Sequence, residues 1–144
     1  MTKIRNYYFL IVGILSVLFS VSHGWFGETT VLPLIESSNL DLTTRTAVFY
    51  TWHMSTAENL IFGIVFFIMA FYKDASKLRF TVWMIISIVV IRYAVFFCST
   101  WIKNKGGIND AIPELVILII YVVIMILGIS NRKLESGFLI RNKK

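Results

Sequence analysis

The chain has 144 residues, 57% of them hydrophobic, with a net charge of +6 and a mean hydropathy of +0.75. Soluble domains are nearer about 45–50% apolar, so the composition excludes a soluble enzyme or a soluble nucleic-acid binder. A lone cysteine, Cys98, excludes an internal disulfide.

The apolar excess falls into four blocks, each long enough to cross a hydrocarbon core of about 30 Å. They predict an all-α fold, a four-helix transmembrane bundle. The chain reads as a single membrane domain with spans at about 4–22, 46–72, 80–101 and 111–130.

Residues 1–6 are short and basic, with Lys3 and Arg5. The apolar run 7–21 follows, interrupted by Gly13, Ser16 and Ser20. A basic start, an apolar core and Ser20-Val-Ser22 also fit a signal peptide. The run is long for one, which favours a membrane helix. On that helix Gly13, Ser16, Ser20 and His23 share one face. A small, polar stripe is what a membrane helix turns toward its neighbours. Residues 23–45 predict an outer loop. Within it, Gly24-Trp-Phe-Gly27 reads as a turn with interfacial aromatics, and 30–35 as a segment that lies in the interface or dips back over the bundle. Asp41 is expected to cap the next helix.

That helix should run over 42–72, about 45 Å at about 1.5 Å per residue. Trp52, Thr56, Asn59 and Gly63 form a stripe, flanked by His53 on one side and by Ser55 and Glu58 on the other. So wide a polar arc belongs at the bundle centre. Residues 73–79 are a short charged turn. The third helix carries Arg92, with Cys98 as a small packing residue near its outer end. Residues 103–110 form a polar loop, with Asp110 capping the fourth helix and Pro113 in its first turn. Glu114 and Tyr121 share a face of that helix. Residues 131–144 read as a basic tail with Phe138-Leu-Ile140 embedded.

Lys and Arg set the expected orientation. Ten lie on the side of the termini and three (Arg45, Lys103 and Lys105) on the other. This bias predicts a cell (inner) membrane protein with both termini cytoplasmic.

Ionisable groups at membrane depth are costly, and each marks a candidate site. From rise per residue, His53 lies roughly 10 Å, Arg92 roughly 14 Å and Glu58 roughly 18 Å below the outer edge. Glu58 and Arg92 therefore read as partners near the midplane. His23, Trp52, His53, Glu58, Asn59, Arg92, Glu114 and Tyr121 are the expected lining of an outer-half pocket for a small or lipid-like ligand. Arg92 would hold an anionic group, and His53 would move a proton.

Two other functions compete. One is a packing-only scaffold or immunity-type membrane protein. The other is a haem- or metal-bearing electron carrier with His23 and His53 as axial ligands. No Cys/His cluster, metal-site spacing or phosphate loop is present, so no cofactor or metal is required. The expected partners are the lipid bilayer, the ligand and further copies of the chain, with no nucleic acid.

His23-Gly, Gly27, Val31-Leu-Pro33, Arg45 and Trp52-His53 form a pattern similar to that of small four-span bacterial membrane proteins. The likeness covers the first half of the chain and implies a four-span fold with no particular activity. The four-span size also resembles sterol-isomerase-like lipid binders and small multidrug transporters. The transporters carry an acid in the first span, where this chain has none.

Overall fold

The structure is a computed structural model. It describes the backbone of residues 3–141, and the side chains of residues 3–130 apart from 75, 76 and 110. Among the described residues there are four helices long and apolar enough to span a membrane, and no strand. The all-α, four-span expectation holds, and the chain is a multi-pass membrane protein. It divides into two compact units: Leu10–Ile68, and Met1–Phe9 with Met69–Lys144.

Helix α1 runs over Tyr7–Glu36. Close to its C-terminal end is a π-helical turn, Gly27–Val31, in which the Leu32 N–H donates to the Gly27 carbonyl five residues back. It ends in the α-helical turn Leu32–Glu36. The expected turn at 24–27, the interfacial segment 30–35 and most of the loop 23–45 are therefore helix, and the break covers only 37–41. The glycines there keep ordinary helical backbone, and none among the described residues has positive φ. Pro33 stands at the start of the last turn, just after the register slips, where a missing N–H costs least.

The break is short because its polar groups are satisfied locally. Ser37 N–H donates to the Pro33 carbonyl at 3.0 Å, and Arg45 Nη1 donates to the Glu36 carbonyl at 3.0 Å. A cation on the last carbonyls also suits the helix dipole. Helix α2 then runs over Leu42–Phe71. Asp41 caps it as expected, accepting the Thr44 N–H at 3.0 Å and the Thr44 hydroxyl. Those bonds, led by the hydroxyl, hold the Asp41 carboxyl below its ordinary value of 3.8. The cap's contribution is complete above that value and fades as pH falls through the lower folded one.

In the unit Leu10–Ile68, α1 and α2 meet along small residues. A Cβ on Gly13 would lie 3.2 Å from the Gly63 carbonyl oxygen. Ser20 Oγ donates to the Thr56 carbonyl at 2.8 Å. Ser16 instead turns back on its own helix, donating to the Val12 carbonyl. Lipid is as apolar as leucine, so membrane helices associate through close backbone approach and hydrogen bonds rather than by hiding oil from water. The outward faces stay apolar: Ile61, Ile64 and Ile68 are all exposed.

In the other unit, helices α3 (Ala75–Lys103) and α4 (Ile108–Arg141) form a hairpin through a 3₁₀ turn at Lys105–Gly107. Val82, Ile85, Ile86 and Val89 of α3 are buried, as are Leu118, Tyr121, Met125 and Ile129 of α4. Each set repeats every three or four residues, the period of one helical face. The charged turn expected at 73–79 shrinks to 72–74, and Asp74 and Lys77 pair at 3.6 Å at the helix start. The loop 103–110 shrinks in the same way, since the Asn104 carbonyl and side chain both accept the Gly107 N–H. Helix α4 starts early enough to put Pro113 inside it rather than in its first turn. The cap expected of Asp110 falls on a side chain outside those described, and the side chains of Phe138-Leu-Ile140 lie outside them too. The tail is helical as far as Arg141. Cys98 is exposed, not a packing residue.

Asn6 joins three pieces of this unit and is 1% exposed. Its backbone N–H and that of Arg5 share the Ala70 carbonyl, at 3.1 and 2.9 Å. Its side-chain oxygen accepts the Phe9 N–H at 3.2 Å, capping α1. Its side-chain nitrogen donates to the Gly128 carbonyl at 2.7 Å. Phe9 lies over Gly128, where any Cβ would collide with its ring.

Candidate functional site

The polar segment of α2 meets α1 at the π-helical turn. Trp52 Nε1 donates to the His23 carbonyl at 3.1 Å. In an unbroken α-helix that carbonyl would take the Gly27 N–H, four residues on. The π-turn begins at Gly27, four residues past His23. The indole also needs the glycine, because a Cβ on Gly27 would collide with its Nε1 and neighbouring ring carbons.

The same indole stacks on the His23 ring, with centroids 4.3 Å apart and planes 6° from parallel. Phe26 flanks it at 6.4 Å. One turn along, a Cβ on Gly24 would lie 3.2 Å from Thr56 Cγ2. His53, next to Trp52, points to the π-turn itself: its Nε2 lies 3.2 Å from Glu28 Oε1. Those side chains are 49% and 59% exposed. The arrangement is thus a half-buried inner layer (His23, Trp52, Gly24 and Thr56 around the buried Gly27) with an exposed carboxylate–imidazole pair outside it.

Each of α1 and α2 is 30 residues long, about 45 Å, against a core of about 30 Å. At this end α1 carries Glu28, Thr29, Thr30 and Glu36 around the apolar run 31–35, and α2 carries Thr43, Thr44, Arg45 and Thr46.

Of the expected lining, His23, Trp52, His53, Glu58 and Asn59 belong to the unit Leu10–Ile68. The structure brings His23 and Trp52 together directly. Glu58 and Asn59 are half-buried, one to two turns further along α2. Arg92, Glu114 and Tyr121 belong to the other unit, where Arg92 is half-buried, Glu114 exposed and Tyr121 buried. An open apolar hollow of about 300 Å³ is lined by Phe97, Cys98, Trp101 and Ile102 at the end of α3, and contains none of these eight residues. Among the described residues no group of three His, Cys, Asp or Glu side chains is placed to hold a metal ion.

Glu28, Gly27 and Asn6 are absent from the expected lining. By sequence Glu28 and Gly27 fall in the expected loop 23–45, where helical spacing says nothing about neighbours. Asn6 lies ahead of the apolar run, and its role depends on Gly128, 122 residues away. A capping residue just before an apolar helix was the available signal.

Comparison with protein-family models, with curated proteins and with solved structures returns no match.

The bond from Trp52 can be isolated by Trp52→Phe, which keeps an aromatic ring against His23 and removes the donor. The expected loss is about 0.5–1.5 kcal/mol of unfolding free energy in mixed micelles. An unchanged stability would show that the indole N–H contributes nothing to the seam.

Proposed function

We propose that the protein is a membrane scaffold whose polar groups in α1 and α2 specify how those helices pack. One observation carries this reading: Trp52 and Ser20 spend their donors on backbone carbonyls of the facing helix. In a ligand site such groups would point into a cavity. A polar side chain is costly in lipid, so one that finds its partner in only one register selects that register.

A ligand-binding reading has one supporting observation of its own. The Glu28–His53 pair is half exposed, adjoins a π-turn, and presents an acid and an imidazole together. π-turns are frequent at functional sites.

Solvent extraction of the purified protein followed by mass spectrometry separates the two. The scaffold reading expects only bilayer lipids, in the proportions of the source membrane. It also expects the same extract from a Glu28→Gln, His53→Gln double variant. A compound enriched over the membrane and lost in that variant would replace the scaffold reading with the ligand one.

A further inference from the structure

Lys3, Arg5, Lys73, Lys77 and Arg79 come from two separate stretches of the sequence, and all are exposed. The fold joins those stretches. Arg5 and Asn6 donate their backbone N–H groups to the Ala70 carbonyl, which ties the start of the chain to the last turn of α2. Residues 3–5 thereby sit at the same end of this unit as 73–79. Among the described side chains of that rim the one acid is Asp74, which is paired with Lys77. The opposite rim of the unit is balanced in sequence, with Lys103 and Lys105 against Asp110 and Glu114.

Aromatic residues surround the basic rim. Tyr7 is 66%, Tyr72 43% and Phe80 74% exposed. Tyrosine at a helix end sits at headgroup level, with its ring in the acyl region and its hydroxyl in water. The cations beside these rings are therefore at the depth of lipid phosphates. Four or more Lys and Arg directly beside a membrane span are the composition that attracts anionic lipid.

We propose that the rim formed by Lys3, Arg5, Lys73, Lys77 and Arg79 is a docking surface for the headgroups of anionic phospholipids, assembled by the bonds from Arg5 and Asn6 to Ala70. It depends on the charges and contacts of one unit and is independent of the scaffold reading.

The test titrates the purified full-length chain in neutral micelles with phosphatidylglycerol or phosphatidylcholine, counting bound lipid by native mass spectrometry. Two double variants are compared, Arg5→Gln with Lys73→Gln and Lys103→Gln with Lys105→Gln. Both lower the net charge of +6 by the same amount, and all four side chains are exposed. Each charge near an anionic surface is worth about 5-fold in affinity, so the first variant should lose about 30-fold for phosphatidylglycerol. Its affinity for phosphatidylcholine should not change. The second variant should stay within about 3-fold of the parent for both lipids. Equal losses in the two variants would mean that net charge alone attracts the lipid, and would overturn the proposal. So would no loss in the first variant. Displacement of bound lipid by soluble glycerol phosphate at matched concentration would also overturn it, since the surface would then hold free anions and not lipid.

Discussion

Replacing Asn6 by leucine is expected to lower the unfolding free energy by roughly 2–3 kcal/mol, a large share of a marginally stable fold. Two losses add. Removing the cap on the Phe9 N–H costs about 1 kcal/mol. Removing the donor to the Gly128 carbonyl costs about 1 kcal/mol more, and over 1 if that lone pair stays buried without water. The bonds to Ala70 come from the backbone and survive either change.

Asn6→Ser separates the terms. Serine caps as well as asparagine but is too short to reach Gly128, so about half of the loss should return. Reversible unfolding in mixed micelles, followed by far-UV circular dichroism, gives both values. A leucine variant within about 0.5 kcal/mol of the parent would show that Asn6 does not clasp these elements. A serine variant as unstable as the leucine one would assign the whole effect to Gly128.

The second large effect is expected at Gly63. A Cβ there lies 2.7 Å from Val17 Cγ2 and 3.2 Å from both the Gly13 carbonyl oxygen and the Val17 nitrogen. The methyl group can turn away, but two of the three neighbours are backbone and cannot. For Gly63→Ala the terms oppose. Alanine gains about 1 kcal/mol in helix propensity, while overpacking costs about 1–3 kcal/mol. The net loss should therefore be small. Leucine has a similar propensity but pushes three more carbons into the seam, so α1 and α2 must separate. Gly63→Leu should lose at least about 2–3 kcal/mol.

Gly106→Ala is the control. Its Cβ would meet only Asn104 Oδ1, at 3.7 Å, so it should stay within about 0.5 kcal/mol of the parent. If Gly63→Leu proves as mild as the control, α1 and α2 do not pack through their glycines.

The contrast between Gly63 and Gly27 shows what the sequence carried about the seam. Gly63 was legible. It falls on a helical stripe with Trp52, Thr56 and Asn59, and Gly13 and Ser20 fall on a stripe of α1; small residues at that period predict close approach. Gly27 was read as part of a turn because glycine beside aromatics usually punctuates a chain. Its actual use is to leave room for Trp52, 25 positions later in the chain, and no local pattern encodes that.

What the sequence by itself determined is the class: four apolar helices, the α2 start at Asp41, and the paired stripes of small residues. These follow from length, from period and from capping chemistry, all of which act within a few residues. Only the tertiary structure decided where α1 ends and what its polar residues meet. Trp52 donates to the His23 carbonyl, and α1 passes through a π-turn and continues to Glu36 instead of breaking at Gly24. That continuation places Glu28 beside His53. Asn6 likewise gains its meaning from Ala70 and Gly128. For Trp52 and Asn6 the deciding partner is a backbone carbonyl. Every residue has one, whatever its side chain, so which carbonyl is used is fixed by the fold and not by the letters of the sequence.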